Sequence, residues 1–252
     1  MATELKLHIG MQNGRSVITE SHFTSPLKLG TPKTGGKRLK VVLMMASAGI
    51  LKGDAFSYDI VCDKDTRTFL TEQSYTKIFD TGDGRSDKQQ RIELKEGASL
   101  YYRPCAVIPF KGSTFDGNMT VNLNKGSEFI YADIVTAGRV GMGERFYFKH
   151  YRNRVCVMED ESPVWLDNCL LEPVNMKMDN MIFFDGYTHQ GTFYYYGSTE
   201  REEQLLQYAG EENEKICCGV SAALKGVCIR FLAYTAQDIE EAFNDIEALL
   251  YI

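Results

Sequence analysis

The stretch "IELKEGASLYY", residues 92–102, decides the fold because it recurs along the chain. The segment "VNLNKGSEFIY", residues 121–131, repeats its apolar first and third places, its sixth-place glycine and its small seventh residue. A fainter copy, "IVCDKDTRTFL", residues 60–70, has Asp65 at the sixth place. Aspartate tolerates a left-handed turn better than most side chains, so all three segments predict strand–turn–strand units.

The copies begin 32 and 29 residues apart, at Ile60, Ile92 and Val121. At this spacing such units either stack as coils of a β-solenoid or pair as successive hairpins. We favour stacking. The expected fold is therefore mainly β: an elongated, β-helix-like or two-layer stack of strands, with two helices towards the C-terminus, in a single domain over residues 1–252.

Period-two alternation supports this fold outside the repeat. In "NMTVNLNKG" the apolar residues Met119, Val121 and Leu123 share one face, as in a half-buried strand. Further short strands are expected at "RLKVVLMM", "RIELKEG", "ERFYFKH" and "RVCVME".

The C-terminal segment "TAQDIEEAFNDIEALL" changes to helical spacing. Thr235 and Asp238 occupy the N-cap and N3 positions of the predicted helix. Its apolar stripe either packs on the protein's own sheet or forms a partner-binding face. The partner-binding candidates are Ile239, Phe243, Ile246 and Leu250. A second, more polar helix is expected around residues 199–213.

Composition excludes several classes of partner. Lys plus Arg is 28 and Asp plus Glu is 34, which gives a net charge of −6 without a basic block. This balance argues against a nucleic-acid surface or an anionic membrane patch. The longest apolar stretch, residues 41–51, is too short to span a bilayer, and the N-terminus lacks a signal-peptide pattern. We expect a cytosolic protein whose seven cysteines are reduced and mostly buried.

Motifs for catalysis or tight metal binding are not found in the sequence. The histidines His8, His22, His150 and His189 lie far apart, and no spacing brings two of them onto one helix face. The glycine-rich "GRVGMGE" lies between predicted strands and does not open a helix, so it is a poor phosphate loop. We therefore expect no catalytic residues and no tightly bound cofactor.

Six short motifs nevertheless stand in a recognisable order: "GILKGD", "TEQSYTKIF", "RPCAVIPFKGS", "GRVGMGE", "LDNCLLEP" and "GVCIRFLA". Together they resemble the urease accessory protein D family, called UreH in some systems, over nearly the whole chain. Ala48, Glu72 and Phe79 depart from the family pattern. The motif positions carried over are Gly49, Gly53, Asp54, Thr71, Gln73, Thr76, Lys77, Pro104, Gly138, Arg139, Gly143, Glu144, Asp167, Pro173 and Arg230.

This resemblance implies a non-enzymatic scaffold, or chaperone, in urease maturation. Members of the family bind the helical accessory protein F, which recruits the GTPase accessory protein G, and the assembly docks on apo-urease. The resemblance also implies nickel in transit through a tunnel. Asp54 and Glu144, beside glycines at strand ends, are candidate oxygen ligands of transient affinity.

The same resemblance explains the step "AGILKGDAF", residues 48–56. Gly49 and Gly53 would allow a close backbone approach or a turn, and Asp54 would cap the exposed amides of that turn. The alternative function is a β-solenoid carbohydrate-active enzyme with a carboxylate pair in a groove. Against it stands the single tryptophan, Trp165, since sugar grooves usually supply several stacking aromatics.

Overall fold

Among the described residues up to 198, the regular elements are strands apart from one 3-10 turn, and the last element of the chain is a helix. A computed structural model describes residues 2–30, 38–208 and 214–251. The elements are β1 (Ala2–Gln12), β2 (Arg15–Phe23), β3 (Leu27–Leu29), β4 (Leu39–Met45), β5 (Ala55–Cys62), β6 (Arg67–Glu72), β7 (Thr76–Ile78), β8 (Ser86–Leu94), β9 (Ser99–Arg103), β10 (Val107–Pro109), β11 (Thr114–Leu123), β12 (Glu128–Thr136), a 3-10 turn (Val140–Met142), β13 (His150–Glu159), β14 (Ser162–Leu171), β15 (His189–Tyr196), α1 (Thr199–Leu206), β16 (Ile216–Ala222), β17 (Val227–Ala233) and α2 (Ala236–Leu250).

The strands form two sheets that face each other. The outer sheet has the order β14-β13-β11-β8-β5-β1-β2, and the middle sheet has the order β16-β17-β15-β12-β9-β6-β4-β3, with β7 and β10 paired at its side. The central strands are parallel: β5, β8 and β11 in the outer sheet, and β6, β9 and β12 in the middle sheet. Successive hairpins would give antiparallel neighbours, so the stacked arrangement is confirmed.

The three sequence repeats lie directly on top of one another. Their first residues, Ile60, Ile92 and Val121, are register partners on neighbouring strands of the outer sheet. Their last residues are register partners in the same way in the middle sheet. One repeat therefore supplies one strand to each sheet. Residues that align between repeats in the sequence are register partners on neighbouring strands.

The sixth place of each repeat makes the turn between the two sheets. Asp65, Gly97 and Gly126 have φ angles of 60°, 67° and 70°, all in the left-handed region. The amide of Asp65 donates to the carbonyl of Glu96 at 3.1 Å, and the amide of Gly97 donates to that of Lys125 at the same distance. Aspartate thus replaces glycine at this turn, as expected.

The two sheets differ in how many faces they bury. In β5 of the outer sheet, Tyr58 and Ile60 are buried while Asp59 between them is exposed, so only one face meets the core. In β9 of the middle sheet, Tyr101 and Tyr102 are both buried, because the first faces the helices and the second faces the outer sheet. The molecule therefore has three layers: outer sheet, middle sheet and helices.

Helix α2 packs on the middle sheet with the apolar face that its sequence predicts. The Thr235 hydroxyl accepts a hydrogen bond from the amide of Asp238 at 3.1 Å, which confirms the predicted cap. The more polar helix is α1, which ends at Leu206; residues 209–213 of the predicted segment lie outside the described residues. No helix in the described parts of the chain is long and apolar enough to cross a membrane.

The strand expected at "ERFYFKH" is wrong. Residues 144–149 are irregular, and β13 begins only at His150. Phe146 has a left-handed φ of 58° and packs edge-on against Phe184, with 4.9 Å between ring centroids. Its neighbour Phe148 is buried in the core between the sheets. A folded loop thus buries Phe148 and half-buries Phe146, and period-two spacing cannot distinguish this arrangement from a strand.

Candidate functional site

A cavity of about 300 Å³ lies between the outer and middle sheets. Strands β4, β6, β9 and β12 line one side, and strands β5, β8, β11 and β13 line the other. The exposed residues Gln73, Ser74 and Tyr75 line one end, which we call the mouth. The Tyr75 hydroxyl donates to Glu240 Oε1 at 3.1 Å, so the mouth is tied to helix α2.

The cavity exists partly because one inward position lacks a side chain. Phe56, Lys88, Gly117 and Asn153 are register partners across β5, β8, β11 and β13. A Cβ atom at Gly117 would stand 2.8 Å from Asn153 Oδ1. Asn153 thus packs against the bare backbone of Gly117, and no side chain of β11 stands between Lys88 and Asn153 in this row.

Near the mouth, an ion pair faces the cavity. Lys88 Nζ lies 3.3 Å from Glu72 Oε1 and 4.7 Å from the centre of the Tyr58 ring. Burial alone lowers the pKa of Lys88, but Tyr102 and Glu72 beside it raise that pKa above the usual lysine value. Lys88 is thus a cation at neutral pH.

Deeper inside, Asp133 sits at the centre of a hydrogen-bonded group. Its Oδ2 accepts from the Tyr131 hydroxyl and from Asn153 Nδ2, each at 3.0 Å. Burial first, and then the negative charge of Asp167, raise the pKa of Asp133 to about 6. A carboxyl group in this environment titrates close to neutral pH.

At the far end of this row of polar side chains, a charged pair bridges the two sheets. Arg230 on β17 donates to Asp167 on β14 at 2.6 Å and 3.1 Å, and to the Thr192 hydroxyl at 2.6 Å. The Arg230 side chain is 39% exposed, whereas that of Asp167 is 13% exposed, so this end reaches solvent. The polar band consists of Glu72, Lys88, Asp133, Asn153, Asp167 and Arg230.

The glycine–aspartate step after β4 forms the rim of the cavity. A Cβ at Gly49, which lines the cavity, would lie 2.5 Å from the Lys77 carbonyl oxygen. Gly53 has a left-handed φ of 79°. Asp54 Oδ2 accepts from the amide of Leu51 at 2.8 Å. Close approach, turn and cap are thus all present at this step.

The turn at residues 138–144 holds Glu144 against Arg139. Arg139 Nε donates to Glu144 Oε2 at 2.8 Å, and a second hydrogen bond joins Arg139 Nη2 to Glu144 Oε1. The hydrogen bond from Arg139 lowers the pKa of Glu144. Gly143 ends the 3-10 turn with a φ of 74°, and Gly138 lies where a Cβ would stand 2.9 Å from the Glu144 carbonyl oxygen.

The structure gathers about half of the motif positions around the cavity and its polar band. Five of them line the cavity, and two more form its far end; Thr71 is half-buried on β6, and Pro173 follows β14. The cavity-lining positions are Gly49, Gln73, Thr76, Lys77 and Pro104, and the far-end positions are Asp167 and Arg230.

The predicted partner face of α2 is occupied by the protein's own sheet. Ile239, Phe243, Ile246 and Leu250 are at most 1% exposed and lie in the apolar cluster between α2 and the middle sheet. Of the two interpretations that the sequence left open, the structure places these four side chains in the core. A partner that meets the docked helix would contact its other faces.

Sequence reasoning missed the polar side chains inside the cavity. Lys88 and Gln90 occupy the inward positions of β8, where period-two spacing calls for apolar residues, and Asp133 interrupts the apolar run of β12. A polar residue at an inward strand position was the available signal. Within the described ranges, no group of three or more His, Cys, Asp or Glu side chains is placed to hold a metal ion.

Fold and cavity together define a stacked-strand β protein whose apolar core contains a cavity with polar side chains. The chain belongs to the UreD urease accessory protein family, whose model matches residues 1–251. It is 37% identical to urease accessory protein UreH of Helicobacter pylori strain P12, over 73% of this chain and 70% of that protein. It is 34% identical to UreH of Helicobacter hepaticus, over 96% and 95% of the two chains. Identity to UreD of Acetivibrio thermocellus is 30%, over 99% and 97%.

Proposed function

We propose that this chain is a non-enzymatic scaffold, or chaperone, of urease maturation in the cytosol. It joins apo-urease to the F-type and G-type accessory proteins in a multimeric assembly. Its cavity and polar band give nickel a path between the sheets. Family membership supports the role in maturation, and the polar band supports the path.

The single observation that carries the path is the chemistry of the polar band. Asp133 and Asp167 each offer carboxylate oxygens. The Asp133 carboxylate already accepts hydrogen bonds from Tyr131 and Asn153, and the Asp167 carboxylate accepts from Arg230. Nickel binds most tightly where several nitrogen or sulfur ligands are held in one geometry. A path with one carboxylate at a time, each with a competing partner, binds an ion weakly and releases it.

Asp54 and Glu144 were the first candidates for transient ligands, and the polar band replaces them in this proposal. Neither residue lines the cavity. Asp54 caps its own turn, and Glu144 is held by Arg139. Both are better described as architectural.

No observation favours the alternative of a carbohydrate-active enzyme. Trp165 stacks on Tyr194 inside the protein, with ring centroids 4.0 Å apart and planes within 3° of parallel. Only 8% of Trp165 is exposed, so the tryptophan is not available to stack on a sugar ring.

The path is tested by closing it at Gly117. Gly117→Val adds a side chain between Lys88 and Asn153, where the nearest atom is the movable end of Asn153. In a urease system reconstituted with the F-type and G-type proteins, we expect intact complexes but less nickel in urease and lower urease activity. Thr120→Val, on the exposed face of the same strand, is the control.

Normal nickel loading with Gly117→Val would exclude this cavity as the path. Failure of wild-type protein to co-purify with any urease component would exclude the scaffold itself. The melting temperature of both variants establishes that each is folded before either result is read.

A further inference from the structure

Lys88 is a charged side chain in an unusual place for a cation path. Its side chain is 16% exposed and that of its partner Glu72 is 13% exposed, although both line the cavity. The ammonium group therefore belongs to the interior of the cavity, and its partner Glu72 directly precedes the mouth residue Gln73.

The surroundings of Lys88 Nζ form a seat for a positive charge. Glu72 Oε1 lies at 3.3 Å, and the face of the Tyr58 ring lies at 4.7 Å. An aromatic face and a carboxylate both stabilise cations. The other carboxylate oxygen of Glu72 accepts from the Thr76 hydroxyl at 3.1 Å, which fixes its orientation. A Lys88 ammonium and a divalent cation would compete for the same oxygen.

We propose that Lys88 is a built-in counter-ion that fills this seat and prevents a divalent cation from remaining in it. The proposal rests on the proposed function only for the identity of the ion, nickel. An arriving cation must displace the ammonium from Glu72, and the returning ammonium then expels the cation. Lys88 thereby sets how long an ion stays near the mouth.

Two physical features support a displaceable ammonium. Lysine carries its charge on a flexible four-carbon chain, so the group can move without the backbone. The register neighbour of Lys88 on β11 is Gly117, which also lines the cavity and presents no side chain that would block this movement. Removal of the ammonium would leave Glu72 as a buried charge without its partner, a state that a bound cation relieves.

The first test removes the charge and keeps the length of the side chain. Lys88→Met in the full chain should bind Ni²⁺ at least about tenfold more tightly than wild type by isothermal titration calorimetry, because the competing charge is gone. Lys88→Arg, which keeps the charge, should bind like wild type. Adding Glu72→Gln to Lys88→Met should abolish the gain. Wild-type affinity in a folded Lys88→Met protein would overturn the proposal.

A second test uses the wild-type protein and does not depend on the folding of a variant. Displacement of the ammonium should make Lys88 more reactive towards reductive methylation when NiCl₂ is added, as measured by peptide mass spectrometry. Lys64, an exposed lysine paired with Glu96 elsewhere, is the internal control. Unchanged labelling of Lys88 at nickel concentrations that saturate the protein would also overturn the proposal.

The outcome is separable from that of the proposed function. Tight nickel binding by Lys88→Met together with normal urease activation by Gly117→Val would support the cation seat and exclude the path. Wild-type nickel affinity of Lys88→Met together with impaired urease activation by Gly117→Val would exclude the cation seat and support the path.

Discussion

Arg230 reaches across the gap between the two sheets and holds Asp167 by two hydrogen bonds, at 2.6 Å and 3.1 Å. The same guanidinium group donates to Thr192, the register neighbour of Asp133. The positive charge of Arg230 lies against Asp167, and it also lowers the pKa of Asp133. Burial of Asp133, followed by the negative charge of Asp167, outweighs this effect and raises the pKa of Asp133 to about 6.

The raised pKa of Asp133 predicts a pH-dependent effect of Asp133→Asn. The native state favours the neutral acid, so the contribution of Asp133 to stability is present below its unfolded pKa and is lost as the pH rises through about 6. At pH 8 the variant should be more stable than wild type by about 3 kcal/mol, and the difference should disappear near pH 4. Urea unfolding at both pH values measures it.

Asp59→Asn, on the exposed face of the outer sheet, controls for the loss of one negative charge. The difference in unfolding free energy between Asp59→Asn and wild type should be the same at pH 4 and at pH 8. A wild type that is as stable as Asp133→Asn at pH 8 would show that ionised Asp133 is fully compensated by its hydrogen bonds.

The two glycines of the step after β4 should differ in their tolerance of alanine. Gly49→Ala brings a Cβ against the backbone carbonyl of Lys77 and should cost about 3 kcal/mol of unfolding free energy. Gly53→Ala has open space around it and meets only its left-handed φ, so it should cost about 1 kcal/mol. Denaturant unfolding measures the loss of unfolding free energy in each variant. Equal losses would contradict a close backbone approach at Gly49.

Phe243→Ala tests whether the stripe of α2 is core. Phe243 is 1% exposed and packs on Phe231 and Phe193, with centroid distances of 5.6 Å and 5.9 Å. We expect a loss of about 3–5 kcal/mol in unfolding free energy. Leu249→Ala, on an exposed part of the same helix, should cost less than about 1 kcal/mol.

Binding to the F-type partner separates the two interpretations of this helix. Where Phe243→Ala is still folded by circular dichroism, it should co-purify as wild type does. Lost binding by a folded Phe243→Ala protein would show that the helix leaves the sheet to meet its partner.

The sequence predicted the stack well because its signals are local. Ile60, Ile92 and Val121 pair as aligned, and the left-handed turn at Asp65 follows from the residue type. The cap at Thr235 follows from spacing alone. Backbone propensity and side-chain period act over a few residues, so one sequence suffices to read them.

The site could not be predicted in the same way because it is built from residues distant in sequence. Lys88 meets Glu72, and Asp133 meets Asn153, only once the two sheets are stacked. The prominent motif carboxylates, Asp54 and Glu144, are instead used by their own turns. A glycine-flanked carboxylate has the same appearance in a sequence whether it caps a turn or contacts an ion.

The stacking of repeats also sets the distance between the mouth of the cavity and Arg230. Each coil adds one strand to each sheet, and neighbouring strands are about 4.8 Å apart. The distance between the mouth and Arg230 can therefore change only in whole coils. Insertions within a coil would lengthen surface loops and leave that distance unaltered, whereas duplication or loss of one repeat would shift the exit by one strand spacing relative to anything docked at the mouth.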